Sequence, residues 1–130
     1  MRRVLIADDQ PEFRELLKEL LAPSGHFDVV GEADDGDEAV RLAPVLNPDL
    51  LIMDINMRRM SGLEATLRLR RLHLDMPVVL VSISEEREYA TQALRVGASA
   101  FVPKLSLTVE RLLQVLADQT KLRPGSESGK

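Results

Sequence analysis

The chain has 130 residues, 45% hydrophobic and 29% charged, a size and balance that suit one compact domain with its own core. Seventeen basic against twenty-one acidic side chains give a net charge of −4, which excludes the broad basic face that holds nucleic acid. The absence of cysteine excludes disulfides, thiolate metal sites and cysteine nucleophiles; with no signal-peptide pattern and no apolar run near the ~20 residues of a membrane span, a cytoplasmic location is expected.

Val4-Leu5-Ile6-Ala7 reads as a buried strand that runs into Asp8 and Asp9. Pro11 suits a first helical turn, and Phe13, Leu16, Leu17, Leu20 and Leu21 follow at helical spacing toward a stop near Pro23-Ser24-Gly25. A short second strand, Phe27 to Val30, leads through Gly31 into an acidic turn from Glu32 to Asp37. Ala39, Val40 and Ala43 suggest a second helix, which Pro44 is expected to stop or kink, because proline lacks the amide donor and clashes one turn back. Asn47-Pro48-Asp49 then turns into a third strand, Leu50-Leu51-Ile52-Met53, ending on Asp54. Leu63, Thr66, Leu69 and Leu72 mark a third helix over Gly62 to Leu72, with Met76-Pro77 closing its exit. A fourth strand, Val78-Val79-Leu80-Val81, ends on Ser82. Ser84 is placed to cap a fourth helix with Ala90, Ala93 and Leu94 on its inner face and Gly97 as left-handed terminator. A fifth strand, Ala100-Phe101-Val102-Pro103, runs into Lys104, and Ser106 is placed to cap a fifth helix carrying Val109, Leu112, Leu113 and Leu116.

Five βα repeats with right-handed crossovers predict an α/β fold, a doubly wound five-stranded parallel sheet. The folded domain is expected over residues 1–120, with 121–130 a linker or tail lacking apolar periodicity. In such a sheet ligands bind beyond the carboxyl ends of the strands, where Asp8, Asp9, Asp54, Ser82 and Lys104 would meet. Hard oxygen donors of this kind suit Mg²⁺. Asp54 is either one more metal ligand or a nucleophile that becomes an aspartyl phosphate. Lys104 would supply a point charge to a phosphate oxygen and Ser82 a hydroxyl. Each residue alone has a plainer reading: a helix cap before Pro11, a solvated lysine, a strand-end hydroxyl. The conjunction at four successive strand ends favours the site. His26 and His73 fall in turns away from it, Arg58, Arg59, Arg68, Arg70 and Arg71 read as a solvated basic patch, and Tyr89 is either core-edge packing or an exposed interface residue.

These residues resemble the receiver domain of bacterial two-component response regulators over about Arg3 to Leu116. The matching stretches are Val4 to Asp9, Leu51 to Met57 with Met60 to Ala65, Val79 to Ser82, and Gly97-Ala98 leading to Phe101-Val102-Pro103-Lys104. The resemblance implies that Asp54 is the phosphoacceptor, that Asp8, Asp9, Asp54 and the backbone carbonyl of Asn56 hold Mg²⁺, and that Lys104 contacts the phosphoryl group. It implies the flavodoxin-like strand order 2-1-3-4-5, a switch pair, Ser82 and Phe101, and a phosphohistidine donor on a sensor histidine kinase. Self-catalysed phosphotransfer and autodephosphorylation are the only catalysis it implies. The Ser82-Ile83 and Val102-Pro103-Lys104 choices most resemble the NarL/LuxR type, whose output is a helix-turn-helix DNA-binding domain lying outside these residues and whose members can form homodimers.

The chain departs from the family pattern at Arg58, where proline is usual after Met57, and at Ile83, where a small residue is common. A branched Ile83 would crowd the pocket mouth. Leu105 replaces a proline that forms a cis bond in many members, so a trans bond is expected. One rival is a haloacid-dehalogenase-type phosphatase, but its second carboxylate two residues after the nucleophile is here Asn56. The other is a phosphorylation-independent, receiver-like protein-binding module.

Overall fold

The computed structural model describes residues 1–84 and 87–122. Its centre is β3 (Leu50–Asp54), whose five residues are all buried. β1 (Arg2–Ala7) and β4 (Val78–Ser82) flank it, with β2 (Phe27–Ala33) and β5 (Ala100–Pro103) at the edges, every pair parallel in the order 2-1-3-4-5. Continuous apolar strands suit this position because each alternates its side chains between two covered faces.

On one face, Leu5, Leu51, Met53, Val78 and Leu80 pack against α2 (Gly36–Leu46), α3 (Gly62–Arg71) and α4 (Arg87–Arg95) through Ala39, Ala43, Ala65, Leu69 and Ala93. On the other, Val4, Ile6, Ile52, Val79 and Val81 meet Leu17 and Leu21 of α1 (Pro11–Leu21) and Leu112, Val115 and Leu116 of α5 (Val109–Leu122). Full burial of each large aliphatic side chain contributes about 1.5–3 kcal/mol before entropy is counted. The register then fixes the site. Ala7 lies beside Met53, Asp54 beside Val81 and Ser82 beside Pro103, so the polar residues at these strand ends emerge at one edge.

Several local expectations are corrected. α2 runs through Pro44 to Leu46 and closes at left-handed Asn47, whose amide donates to Ala43 O at 2.8 Å. So near a helix end, proline's missing donor removes a single bond, and the Arg3 guanidinium donates to the exposed carbonyls of Leu46 and Asn47. β2 continues to Ala33, so Gly31 and Glu32 are strand residues, after a register shift between Val4 and Leu5. Thr108, not Ser106, caps α5 by accepting from the Arg111 amide at 3.0 Å, because Lys104–Ser106 form a 3₁₀ turn first. On α4 only Ala93 of the expected inner face is buried; Leu94 is 66% exposed, and Tyr89 and Val96 pack inward instead. Leu16 and Leu20 of α1 and Leu72 after α3 are likewise exposed. The Ser84 cap lies at the edge of residues 85–86, outside the described residues, as do residues 123–130 of the tail expected over 121–130; residues 121–122 belong to α5 instead. Gly97 has the expected positive φ, and no described peptide bond is cis, including that to Leu105.

Arg70 is also corrected, from solvated patch to staple. Its half-buried guanidinium donates to the carbonyls of Gly97, Leu74 and Met76 at 2.9, 2.8 and 2.9 Å, tying the end of α3 to the entries of β4 and β5. Arg70→Met strands three carbonyls and is expected to cost about 2–4 kcal/mol of folding stability, read from urea unfolding; Arg68→Met, which loses only a surface pair with Glu64, is expected to cost less than about 1 kcal/mol.

Candidate functional site

Asp8 directly follows β1, with its side chain fully buried. One oxygen accepts from the Gln10 amide at 2.8 Å, and Arg14 donates to its backbone carbonyl, so the first turn of α1 locks the residue in place. Arg14 is itself held by Glu32, whose carboxyl lies below its usual range because Lys18 and Arg14 bond to it. The other Asp8 oxygen is buried and without a hydrogen bond of good geometry; it faces the Lys104 ammonium as an ion pair at 2.8 Å. Lys104 also stands 3.5 Å from Asp54, with only 7% of its side chain exposed.

Asp54 sits on the pocket floor, 5% exposed. Its Oδ1 accepts from the Asn56 amide at 3.3 Å. Behind it the chain turns tightly, since a side chain on Gly62 would begin 2.3 Å from the Asp54 carbonyl oxygen. Burial pushes the Asp54 pKa up to about 6; the Lys104 ammonium opposes this, the Asp8 carboxylate adds to it, and the Asn56 amide opposes it.

Asp9 is the more open acid, with Arg58 Nε 3.9 Å away. One carboxylate oxygen from each of Asp8, Asp9 and Asp54 lies within 4.8 Å of the others. Three hard anionic donors in that space fit a small divalent cation such as Mg²⁺. Asp9, Gln10, Asp54, Asn56, Ser82, Ile83 and Ser84 line an open cavity of about 300 Å³. Ile83 stands on its rim, 68% exposed.

Ser82 is fully buried, its Oγ accepting from the Asn56 side-chain amide at 3.3 Å and from the Ser84 amide at 3.2 Å. The Tyr89 hydroxyl reaches Asn56 Oδ1 at 3.5 Å, and its ring lies 6.0 Å from that of Phe101 at 58°. Asp8, Asp9, Asp54, Asn56, Ser82 and Lys104 therefore lie around this cavity or one side chain behind it, while Phe101 stands further back, behind Tyr89 and Asn56. The sequence reading missed the Asn56 side chain, Tyr89 and Phe13, whose ring lies beneath Lys104 at 4.1 Å. The available signal was thin: an amide two residues after the central acid, and aromatics rare enough, 3% of the chain, to ask what each one touches.

A flavodoxin-like doubly wound sheet with an acidic cation pocket and a buried lysine at its carboxyl edge is the architecture of signal-receiver domains. Residues 4–117 match the response regulator receiver domain family, and the chain belongs to that family. It is 40% identical over 102 residues to the transcriptional regulatory protein DegU of Brevibacillus brevis, covering 78% of this chain and 43% of that protein. It is 49% identical over 104 residues to protein-glutamate methylesterase/protein-glutamine glutaminase 4 of Myxococcus xanthus, covering 78% of this chain and 29% of that one. The signal receiver domain assigned to the response regulator NarL of Mycobacterium tuberculosis superposes with a TM-score of 0.83 at 36% identity, over 94% of this chain and 98% of that one. The chain thus spans less than half the length of both curated relatives. Receiver domains are signalling switches that bind Mg²⁺ at an acidic pocket.

The raised Asp54 pKa gives a signed expectation for the metal-free protein. Between the ordinary 3.8 and about 6 the native state binds more protons than the unfolded chain, so stability falls as pH rises through that window, by up to about 3 kcal/mol. Urea midpoints at pH 4.5 and 7.5 should differ accordingly, and Asp54→Asn should be more stable than the native chain at pH 7.5 but not at pH 4.5. A larger Asp54→Asn gain at the lower pH would overturn this.

Proposed function

We propose that the chain is a phosphorylation-dependent switch of the cytoplasm, taking a phosphoryl group from a phosphohistidine on a sensor histidine kinase. The observation that carries it is Asp54: a buried carboxylate on the floor of an open pocket, with one oxygen facing the Lys104 ammonium and two further acids within cation-binding reach. Ionised at neutral pH, its oxygen forms the new O–P bond while the P–N bond of the donor breaks, the electron pair leaving with the imidazole. Asp8, Asp9, Asp54 and the Asn56 carbonyl would hold Mg²⁺, which supplies positive charge against the phosphoryl oxygens. Lys104 neutralises a further oxygen.

The group adds about −2 charge. Its oxygens accept from the Ser82 hydroxyl and draw it toward the phosphoryl group; once Ser82 turns, the Asn56 amide that donates to it loses that partner, and Tyr89 and Phe101 repack at the surface of α4 and β5. That surface addresses an output unit, by the DegU resemblance a transcriptional one. The methylesterase relative supports a second reading, an enzymatic output.

Intact-mass spectrometry after incubation with Mg²⁺ and acetyl phosphate should show one phosphoryl gain, abolished by chelator and by Asp54→Asn. A folded native chain that gains nothing would support a phosphorylation-independent binding module instead.

A further inference from the structure

We propose that Phe13 is a positioning residue for Lys104, holding the active-site ammonium on its ring face at the spot where it meets both Asp8 and Asp54. The inference rests on the reading of Asp54 as phosphoacceptor.

The Lys104 Nζ lies 4.1 Å from the Phe13 ring centroid while pairing with Asp8 at 2.8 Å and Asp54 at 3.5 Å. A lysine stem has four rotatable carbons, so two carboxylates at unequal distance do not by themselves fix where the charge sits. The ring does, because the negative face of an aromatic attracts a desolvated cation along one direction. Phe13 is in turn fixed. The residue belongs to the first turn of α1, which Asp8 binds through the Gln10 amide and Arg14 binds through the Asp8 carbonyl, and its ring packs against the core on the α5 side. The same acid that pairs with the ammonium therefore also sets the helix that carries the ring. With Leu17 and Leu107, the ring walls off an apolar groove that Lys104 borders. Lys104 lies under the transferring phosphoryl group in the proposed reaction, so a wandering ammonium slows that step without touching the nucleophile.

Two measurements decide it. The first is the rate of phosphoryl gain at saturating Mg²⁺ and acetyl phosphate in the native chain, Phe13→Leu and Phe13→Tyr. Phe13→Leu is expected to slow labelling about tenfold, with Phe13→Tyr, which keeps the ring, within about twofold of native. Equal rates for native and Phe13→Leu overturn the positioning role, as does a Phe13→Tyr as slow as Phe13→Leu. The second is a urea-unfolding cycle with Lys104→Met, which needs no phosphoryl transfer. Loss of the ring should lower the folding equilibrium constant about tenfold more when Lys104 is present than when methionine replaces it. The same loss in both backgrounds overturns the contact. If the native chain gains no phosphoryl group, the phosphoacceptor reading falls and the cycle alone judges the contact; if Lys104→Met does not fold, the ring-retaining comparison judges it.

Discussion

The domain's carboxyl edge depends on one buried ammonium set between two carboxylates. Asp8 and Asp54 are both almost fully removed from water, and burial, with the Asp8 carboxylate adding to it, raises the pKa of Asp54. Lys104 is the cation that makes the arrangement tolerable, and it reaches both because parallel pairing lines up the ends of β1, β3 and β5 across the sheet. The compensation is incomplete: burial still holds the Asp54 pKa up at about 6, and an Asp8 oxygen has no hydrogen bond of good geometry. A site of this kind gives up stability for reactivity, since a group that brings positive charge to the acids finds them poorly satisfied.

The parallel sheet and the convergence of Asp8, Asp9, Asp54, Ser82 and Lys104 were readable from the sequence, because buried strands are written in short apolar runs and their polar ends stand out, while the strand order came with the family resemblance. What escaped was set by contacts between residues far apart. Asn56 touches Ser82 across 26 positions and Tyr89 across 33, and nothing in the local pattern marks an amide for its side chain rather than its carbonyl. Ser106 and Thr108 are both hydroxyls two residues apart, and only the 3₁₀ turn after β5 decides which one caps the helix. On α4 small alanines carry so little apolar contrast that the helical period is ambiguous, and Tyr89 settles it by packing inward. Pro44 does not stop α2 because it lies within a turn of the helix end, where a missing amide donor removes a single bond.

The loop after Asp54 bears the chain's own signature. Arg58 lies near Asp9, and Arg59, at a φ of 67°, faces the buried Asp35 that caps α2 at 3.6 Å. Two consecutive arginines thus lean on acids of two different elements, where the family commonly places a proline. The stiffness a proline would give to the backbone is replaced by electrostatic tethers, which weaken as ionic strength rises.

The three aromatic residues near the pocket are divided between the two sides of the sheet. Phe13 packs with the α1 and α5 layer, while Tyr89 and Phe101 pack with the layer of α2, α3 and α4. The sheet between them is a wall of closely packed aliphatic side chains, and only the pocket at its edge is shared. Substitutions in one layer can therefore drift without disturbing the other, so a lineage carrying duplicated copies of this domain could diversify what each copy recognises and what each copy drives on separate surfaces, with crosstalk confined to the few residues at the rim.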